Sequence, residues 1–260
     1  MTTPWHSLEN KTIWVTGGAG YLGSAITLQL DAHCAKVLCI DLPGKAAALV
    51  HDHHLRRTEP CALDVTEVDG APAAIAALVE QHGLPDGLVH LPFASSSGRT
   101  LDELPVAEFR HTFDATLTPT FVFCRELAER MKARGSGAFV LFASMYGLVA
   151  PDPRLYQLPM KPNPIDYGAA KAAIIQLTRY LATHYGPAGL RFNCVTPGPF
   201  PNSAVQKSEP RFIADLGQKT ALRRIGQNHE IAGPTLFLLT DSASYVTGHS
   251  LVVDGGWTSY

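Results

Sequence analysis

Short apolar runs recur along this chain, at residues 13–15, 36–40, 60–63, 87–91, 138–142, 191–195 and 251–253. Between them lie longer stretches of helical character, at 22–30, 72–81, 109–132, 166–185 and 229–239. This alternation is the pattern of repeated strand–helix units and predicts an α/β fold on a parallel sheet. No internal repeat interrupts it. The one strongly biased stretch is 151–164, where five prolines forbid a regular helix and restrict the residues before them. It reads as a stiff loop joining a strand directly to the next helix, so the chain is expected to be a single domain over 1–260. Loops leaving the carboxyl ends of parallel strands are where open α/β sheets bind ligands.

Composition narrows the function classes. The 260 residues are 46% apolar and 17% charged, enough for a sizeable core, and the net charge of −2 gives no broad electrostatic reason to seek nucleic acid or acidic lipid. The start, Met1-Thr2-Thr3-Pro4-Trp5-His6, lacks the features of a secretory signal, and every later apolar stretch is interrupted before membrane length. The reading is a cytoplasmic protein with a small-molecule substrate and neither nucleic acid nor membrane as partner. Cys34, Cys39, Cys61, Cys124 and Cys194 are scattered without metal-ligand spacing, and no disulfide is required. His51-Asp52-His53-His54 reads as a solvated helix end, so no metal is expected.

Two segments carry chemistry. In Tyr167-Gly168-Ala169-Ala170-Lys171, helical spacing places the phenol and the ammonium on one face, where a cation favours the phenolate and suits Tyr167 to proton exchange with an alcohol or carbonyl. Far upstream, Thr16-Gly17-Gly18-Ala19-Gly20-Tyr21-Leu22-Gly23 follows a strand and opens a helix, and its Gly18, Gly20 and Gly23 match the dinucleotide pattern G-x-G-x-x-G. Asp41 closes the second apolar run, where a carboxylate accepts hydrogen bonds from the adenosine ribose and repels a 2′-phosphate. NAD is therefore favoured over NADP, the counter-reading resting on Lys45, Arg56 or Arg57 as phosphate partners. Asp64 has two open roles, bonding adenine or capping a turn.

Together these residues, with Ser144, the segment Arg191-Phe192-Asn193-Cys194-Val195-Thr196-Pro197-Gly198 and the ending Val253-Asp254-Gly255-Gly256, resemble the compact branch of the short-chain dehydrogenase/reductase superfamily over nearly the whole chain. The resemblance implies a Rossmann-type, doubly wound parallel sheet of about seven strands with helices on both faces. It also implies hydride transfer between nicotinamide and a secondary alcohol or ketone, and a homodimer or homotetramer. Ser144 would hold the substrate oxygen, Tyr167 would be the acid or base, and Lys171 would lower the Tyr167 pKa and bond the nicotinamide ribose. The implied cofactor site comprises Gly17, Gly18, Gly20, Tyr21, Leu22, Gly23, Asp41, Asp64, Val65, His90, Tyr167, Lys171, Pro197, Gly198 and Asn202. A substrate lid is expected over 197–220, and the aromatic tail 257–260 is expected to pack against it or a neighbouring subunit.

Several positions depart from the family pattern. Tyr21 replaces a glycine, His90-Leu91-Pro92-Phe93 replaces Asn-Asn-Ala-Gly, and Thr116 stands where a catalytic asparagine is usual, so Thr116 is taken as its replacement in the proton relay. The proline-rich insertion loosely resembles members associated with bacterial surface-sugar biosynthesis. It brings Arg154 and Lys161 toward the expected mouth, with Lys207 and Arg211 on the lid, and with Tyr146 and Phe200 these suggest a polyol, keto sugar or sugar acid as substrate. The alternatives are a non-catalytic nicotinamide sensor or assembly subunit, and a non-redox sugar-nucleotide epimerase or dehydratase.

Overall fold

The computed structural model describes residues 7–95, 98–157 and 160–260. The start at Met1 to His6, Leu158 and Pro159 of the proline-rich stretch, and the Cys34 side chain lie outside the described residues. Seven strands, β1 (Leu8–Thr16), β2 (Cys34–Asp41), β3 (Thr58–Ala62), β4 (Gly87–His90), β5 (Gly137–Phe142), β6 (Leu190–Pro197) and β7 (Ser250–Val253), form one sheet in the order β3-β2-β1-β4-β5-β6-β7. Every pairing is parallel. The chain thus begins mid-sheet, winds outward to β3, returns to place β4 beside β1, and winds outward again. The strand order reverses between β1 and β4, and that crevice is where a doubly wound sheet takes its ligand. Pro60 sits in β3, an edge strand, where its missing N–H leaves no ladder bond unmade.

Alternation along the strands splits the core in two. Trp14, Leu38, Leu88, Phe139 and Phe192 face one side, packing with Ile75 and Leu78 of α3 (Ala71–His82), Phe123 and Leu127 of α4 (Val106–Met131), and Ile174 and Leu181 of α5 (Ile165–Tyr185). Their neighbours Ile13, Val15, Val37, Val89 and Val140 face the other side, against Ile26 and Leu30 of α1 (Tyr21–His33) and Leu238 and Leu239 of α8 (Ala232–Leu239). Burial on both faces explains why the strands read as continuous apolar runs.

Three helices carry no counterpart in the sequence pattern. The two-turn α2 (Lys45–Asp52) buries only Ala46, and α6 (Ser203–Ser208) and α7 (Pro210–Lys219) fill the segment expected to be a lid. All are too short to show a sustained period. Residues 229–239 divide into a 3-10 turn, Asn228–Ile231, closed by a reciprocal Gln227/Glu230 cap, and then α8. Among the described residues, no helix is long and apolar enough to cross a membrane, and no cluster of metal-ligating side chains occurs.

Candidate active site

The glycine turn is built by close backbone approach. Gly17 adopts φ +70° and donates to the Ile40 carbonyl at 2.8 Å, tying the turn to the end of β2. A Cβ on Gly23 would stand 2.1 Å from the Gly17 oxygen, so only glycine lets α1 start this close beneath the turn. The Asp41 carboxylate accepts from the N–H of Ala19 at 2.9 Å and of Leu42 at 2.8 Å, which aims it at the same turn. Asp64 Oδ1 accepts from both the N–H and the hydroxyl of Thr66, the turn-capping role of the two left open by the sequence. Beside it, Val65 borders a small cavity of about 100 Å³ shared with Ile75 and Phe123.

Ser144, Tyr167 and Lys171 are brought together at the end of β5. Ser144 caps the 3-10 turn Met145–Gly147, its Oγ accepting from the Tyr146 N–H at 3.2 Å, and its hydroxyl lies near enough to the Tyr167 phenol to favour the phenolate. That turn lies directly on α5. A Cβ at Gly147 would meet the Lys171 carbonyl carbon at 2.9 Å, and one at Gly168 would meet the Tyr146 oxygen at 2.9 Å. Two missing side chains therefore set the distance from Ser144 to Tyr167.

Lys171 is 2% exposed and donates from Nζ to the Phe142 carbonyl at 2.8 Å, with its ammonium 5.7 Å from the centre of the Tyr167 ring. Burial pushes this lysine down to about 7, opposed by a weaker attraction to Cys194. Burial likewise raises Tyr167 above the ordinary phenol value, and the Ser144 hydrogen bond works against that rise. The expected lowering of Tyr167 by Lys171 is not produced by the protein alone, because desolvation acts on both groups in favour of their neutral forms.

The departures from the family pattern acquire structural roles. His90 is buried, with Nδ1 2.8 Å from the Thr16 hydroxyl, so it links β4 to β1 across the crevice, and burial lowers it to about 3, Lys171 adding to the effect. It supports the floor of the site as a neutral ring. The Thr116 hydroxyl accepts from the Ala94 N–H at 2.8 Å, anchoring the loop after β4, while the Thr120 hydroxyl donates to the Thr116 carbonyl at 2.6 Å, one residue after Pro119 in α4. Between the anchors at Leu91 and Ala94 the loop projects Phe93, 62% exposed, whose ring lies 5.6 Å from the Lys171 ammonium and edge-on to Tyr167 at 6.0 Å. Phe93 was not singled out by the sequence reading, although a bulky aromatic in place of glycine was its signal.

The insertion, the segment expected to be a lid and the tail form one aromatic assembly. Tyr146 and Tyr156 join their hydroxyls at 2.7 Å, the Tyr156 ring lies 5.2 Å from Phe212 of α7, and Met145, Leu216, Ile225 and Trp257 pack behind them. Asp152 bonds Lys219 at 2.8 Å, and the Lys219 ammonium sits 5.0 Å from the Trp257 ring centre. Trp257 is 4% exposed, so the tail packs on the lid. At the other end of the lid, Gln206 donates to the Tyr21 hydroxyl at 3.1 Å, connecting α6 to the glycine turn. Asn202 caps α6, its Oδ1 accepting from the N–H of Ala204 and Val205, and Gly198 donates to the Val253 carbonyl just after Pro197 ends β6. Leu22 packs into the α1 face of the core.

Three residues expected at the substrate mouth have partners within the chain. Arg154 is bound bidentately by Asp152 and its side chain is 86% exposed, and Lys161 is paired with Glu103 at 2.5 Å. Each cation therefore faces a carboxylate within the chain, Asp152 being shared between Arg154 and Lys219. Phe200 is seated on Gly226, where a Cβ would approach its ring to 2.4 Å, at the root of the lid.

A family model described as enoyl-(acyl carrier protein) reductase matches residues 18–258. The 2,5-dichloro-2,5-cyclohexadiene-1,4-diol dehydrogenase of Sphingobium indicum is 30% identical, over 97% of this chain and 98% of that protein. The 7alpha-hydroxysteroid dehydrogenase of Bacteroides fragilis is also 30% identical, over 96% of this chain and 95% of its own length. A solved short-chain dehydrogenase from Leptospira borgpetersenii with bound NAD+ superposes with a TM-score of 0.87 at 29% identity, covering 99% of this chain and 97% of that one.

Proposed function

Since this chain belongs to the short-chain dehydrogenase/reductase superfamily and is an oxidoreductase interconverting secondary alcohols and ketones with a nicotinamide cofactor, we propose that Ser144, Tyr167 and Lys171 carry the reaction. The convergence of these three side chains at the end of β5 is the observation that supports it. The residues present fit a dinucleotide: Gly17 and Gly23 let the turn close tightly over the start of α1, and Asp41 flanks it. Asp41 would face the adenosine ribose, Lys171 the nicotinamide ribose, and the backbone after Pro197 the carboxamide end. When bound, the oxidised nicotinamide accepts the hydride, and its positive charge favours the phenolate.

In the oxidation direction Ser144 holds the substrate hydroxyl and Tyr167 takes its proton as the C–H electron pair departs as hydride, leaving a carbonyl. Lys171 stabilises the phenolate as it forms. Thr116 keeps the loop bearing Phe93 in place beside Lys171.

NAD is the favoured cofactor, since the carboxylate of Asp41 at the glycine turn opposes a 2′-phosphate. The favoured substrate is an uncharged, ring-borne secondary alcohol, ahead of polyols, keto sugars and sugar acids. The carboxylate partners of Arg154 and Lys161, and the aromatic side chains of Phe93 beside Tyr167 and of the bonded pair Tyr146 and Tyr156, support this choice, as do relatives named for a cyclic diol and a steroid. The sensor and non-redox alternatives find no such support. A homotetramer is favoured by two separate exposed apolar faces, Phe121 and Tyr180 on α4 and α5, and Phe237, Tyr245 and Val252 around α8 and β7. NADH formation from cyclic secondary alcohols, measured by absorbance with NAD and with NADP, tests the reading. Turnover of sugar acids alone, or a preference for NADP, would overturn its finer parts.

A further inference from the structure

Tyr146 and Tyr156 present a polar feature that proton transfer at Tyr167 does not use. Their hydroxyls are 2.7 Å apart and share one hydrogen bond. Each phenol carries one proton, so whichever donates to the other, one O–H proton is left over. The Asn163 backbone N–H lies near enough to the Tyr156 oxygen to favour its phenolate, so the pair already has a backbone donor beside it. What it lacks among the described residues is an acceptor for that remaining proton.

Both rings are fixed. Tyr146 belongs to the turn capped by Ser144, with its carbonyl against Gly168 beside the catalytic phenol, and its own hydroxyl is close enough to Tyr167 for the two to influence each other electrostatically. Tyr156 comes from the proline-rich insertion, and its ring is held by Phe212 of the lid. The nearby carboxylate is Asp152, whose oxygens are taken by Lys219 and Arg154 and whose charge disfavours a second anion alongside. A neutral oxygen suits this position.

We infer that the phenols of Tyr146 and Tyr156 form a second oxygen-recognition site, binding a hydroxyl or carbonyl oxygen of the substrate other than the one that reacts. The inference rests on the secondary-alcohol reading above and makes it narrower: the substrate carries two oxygen functions, one oxidised at Ser144 and Tyr167 and one held unchanged by the phenol pair. A site built to hydrogen-bond an oxygen rejects the analogue lacking it, because its own polar group is then left unpaired.

The test compares kcat/KM for cyclohexanol with the values for the cis and trans isomers of cyclohexane-1,2-, 1,3- and 1,4-diol, in wild type, Tyr146→Phe and Tyr156→Phe. Tm checks that each variant is folded. Tyr156→Phe keeps the ring on Phe212, so it supplies the answer if Tyr146→Phe does not fold. The expected result is a wild-type preference for at least one diol that falls about tenfold in the variants, on the order of one lost hydrogen bond. A diol preference unchanged in a folded variant, or a wild type that favours cyclohexanol over every diol, overturns the inference while leaving the dehydrogenase reading intact. Failure of wild type to oxidise any of these alcohols overturns the ring-alcohol reading on which it rests.

Discussion

The cofactor half and the substrate half of the crevice are held together by different means. Around β1, β2 and α1 the fit is backbone against backbone, with Gly17 and Gly23 in near contact and Asp41 bonded to main-chain N–H groups of Ala19 and Leu42. Around Tyr146 the fit is side chain against side chain, through Asp152 and Lys219, Tyr156 and Phe212, and Lys219 and Trp257. Backbone fits tolerate no added atom, whereas side-chain seams can be rearranged at little cost.

The largest separation of the halves should come from Gly23→Ala. Its Cβ would fall 2.1 Å from the Gly17 oxygen, an overpacking of the kind that costs about 1–3 kcal/mol, and NADH binding measured by fluorescence should weaken by about tenfold or more. Gly186→Ala, at φ −54° with open space around the Cβ position, is the matched control and should change neither property. Asp41→Ser should come next, moving the NADP-to-NAD ratio of kcat/KM upward by about tenfold; an unchanged ratio would place cofactor choice elsewhere.

His90 gives a pH signature to the floor between the halves. Its folded value of about 3 lies below the ordinary 6.5, so the unfolded chain takes up the proton first as acid is added. The stability that depends on a neutral His90 is complete above pH 6.5 and is lost as pH falls toward 3. Thermal melts should therefore show a shallower acid decline in His90→Asn than in wild type, and identical slopes would contradict the buried neutral ring. The smallest effect belongs to the substrate seam: Asp152→Asn, which weakens the tie to Lys219, should raise the substrate KM about two- to fivefold, as expected for an ion pair near the surface, and leave the Kd of NADH unchanged.

The same contrast explains what could be read from the chain alone. All seven strands and the long helices were legible, because burial on both faces forces apolar runs and a proline at 60 is tolerated at an edge. The glycine turn, Asp41, Tyr167 and Lys171 stood out as candidates because local backbone geometry or helical spacing dictates their residue types, whereas Ser144 entered through the family resemblance. Phe93, Tyr156 and the Asp152–Lys219 pair were not. Their meaning depends on contacts such as Gln206 to Tyr21, 185 residues apart, that no local pattern records. For the same reason Arg154 and Lys161 read as free cations, when each meets its carboxylate only in the folded chain.

The most direct test of the central claim is single-turnover hydride transfer in Tyr167→Phe beside wild type, with the Kd of NADH measured separately for each. The account predicts that the chemical step slows by about a thousandfold, in the range lost with a general acid or base, while NADH affinity stays within a few-fold. Near-normal hydride transfer in Tyr167→Phe would contradict the assignment of the proton to this phenol and, with it, the reading of the site.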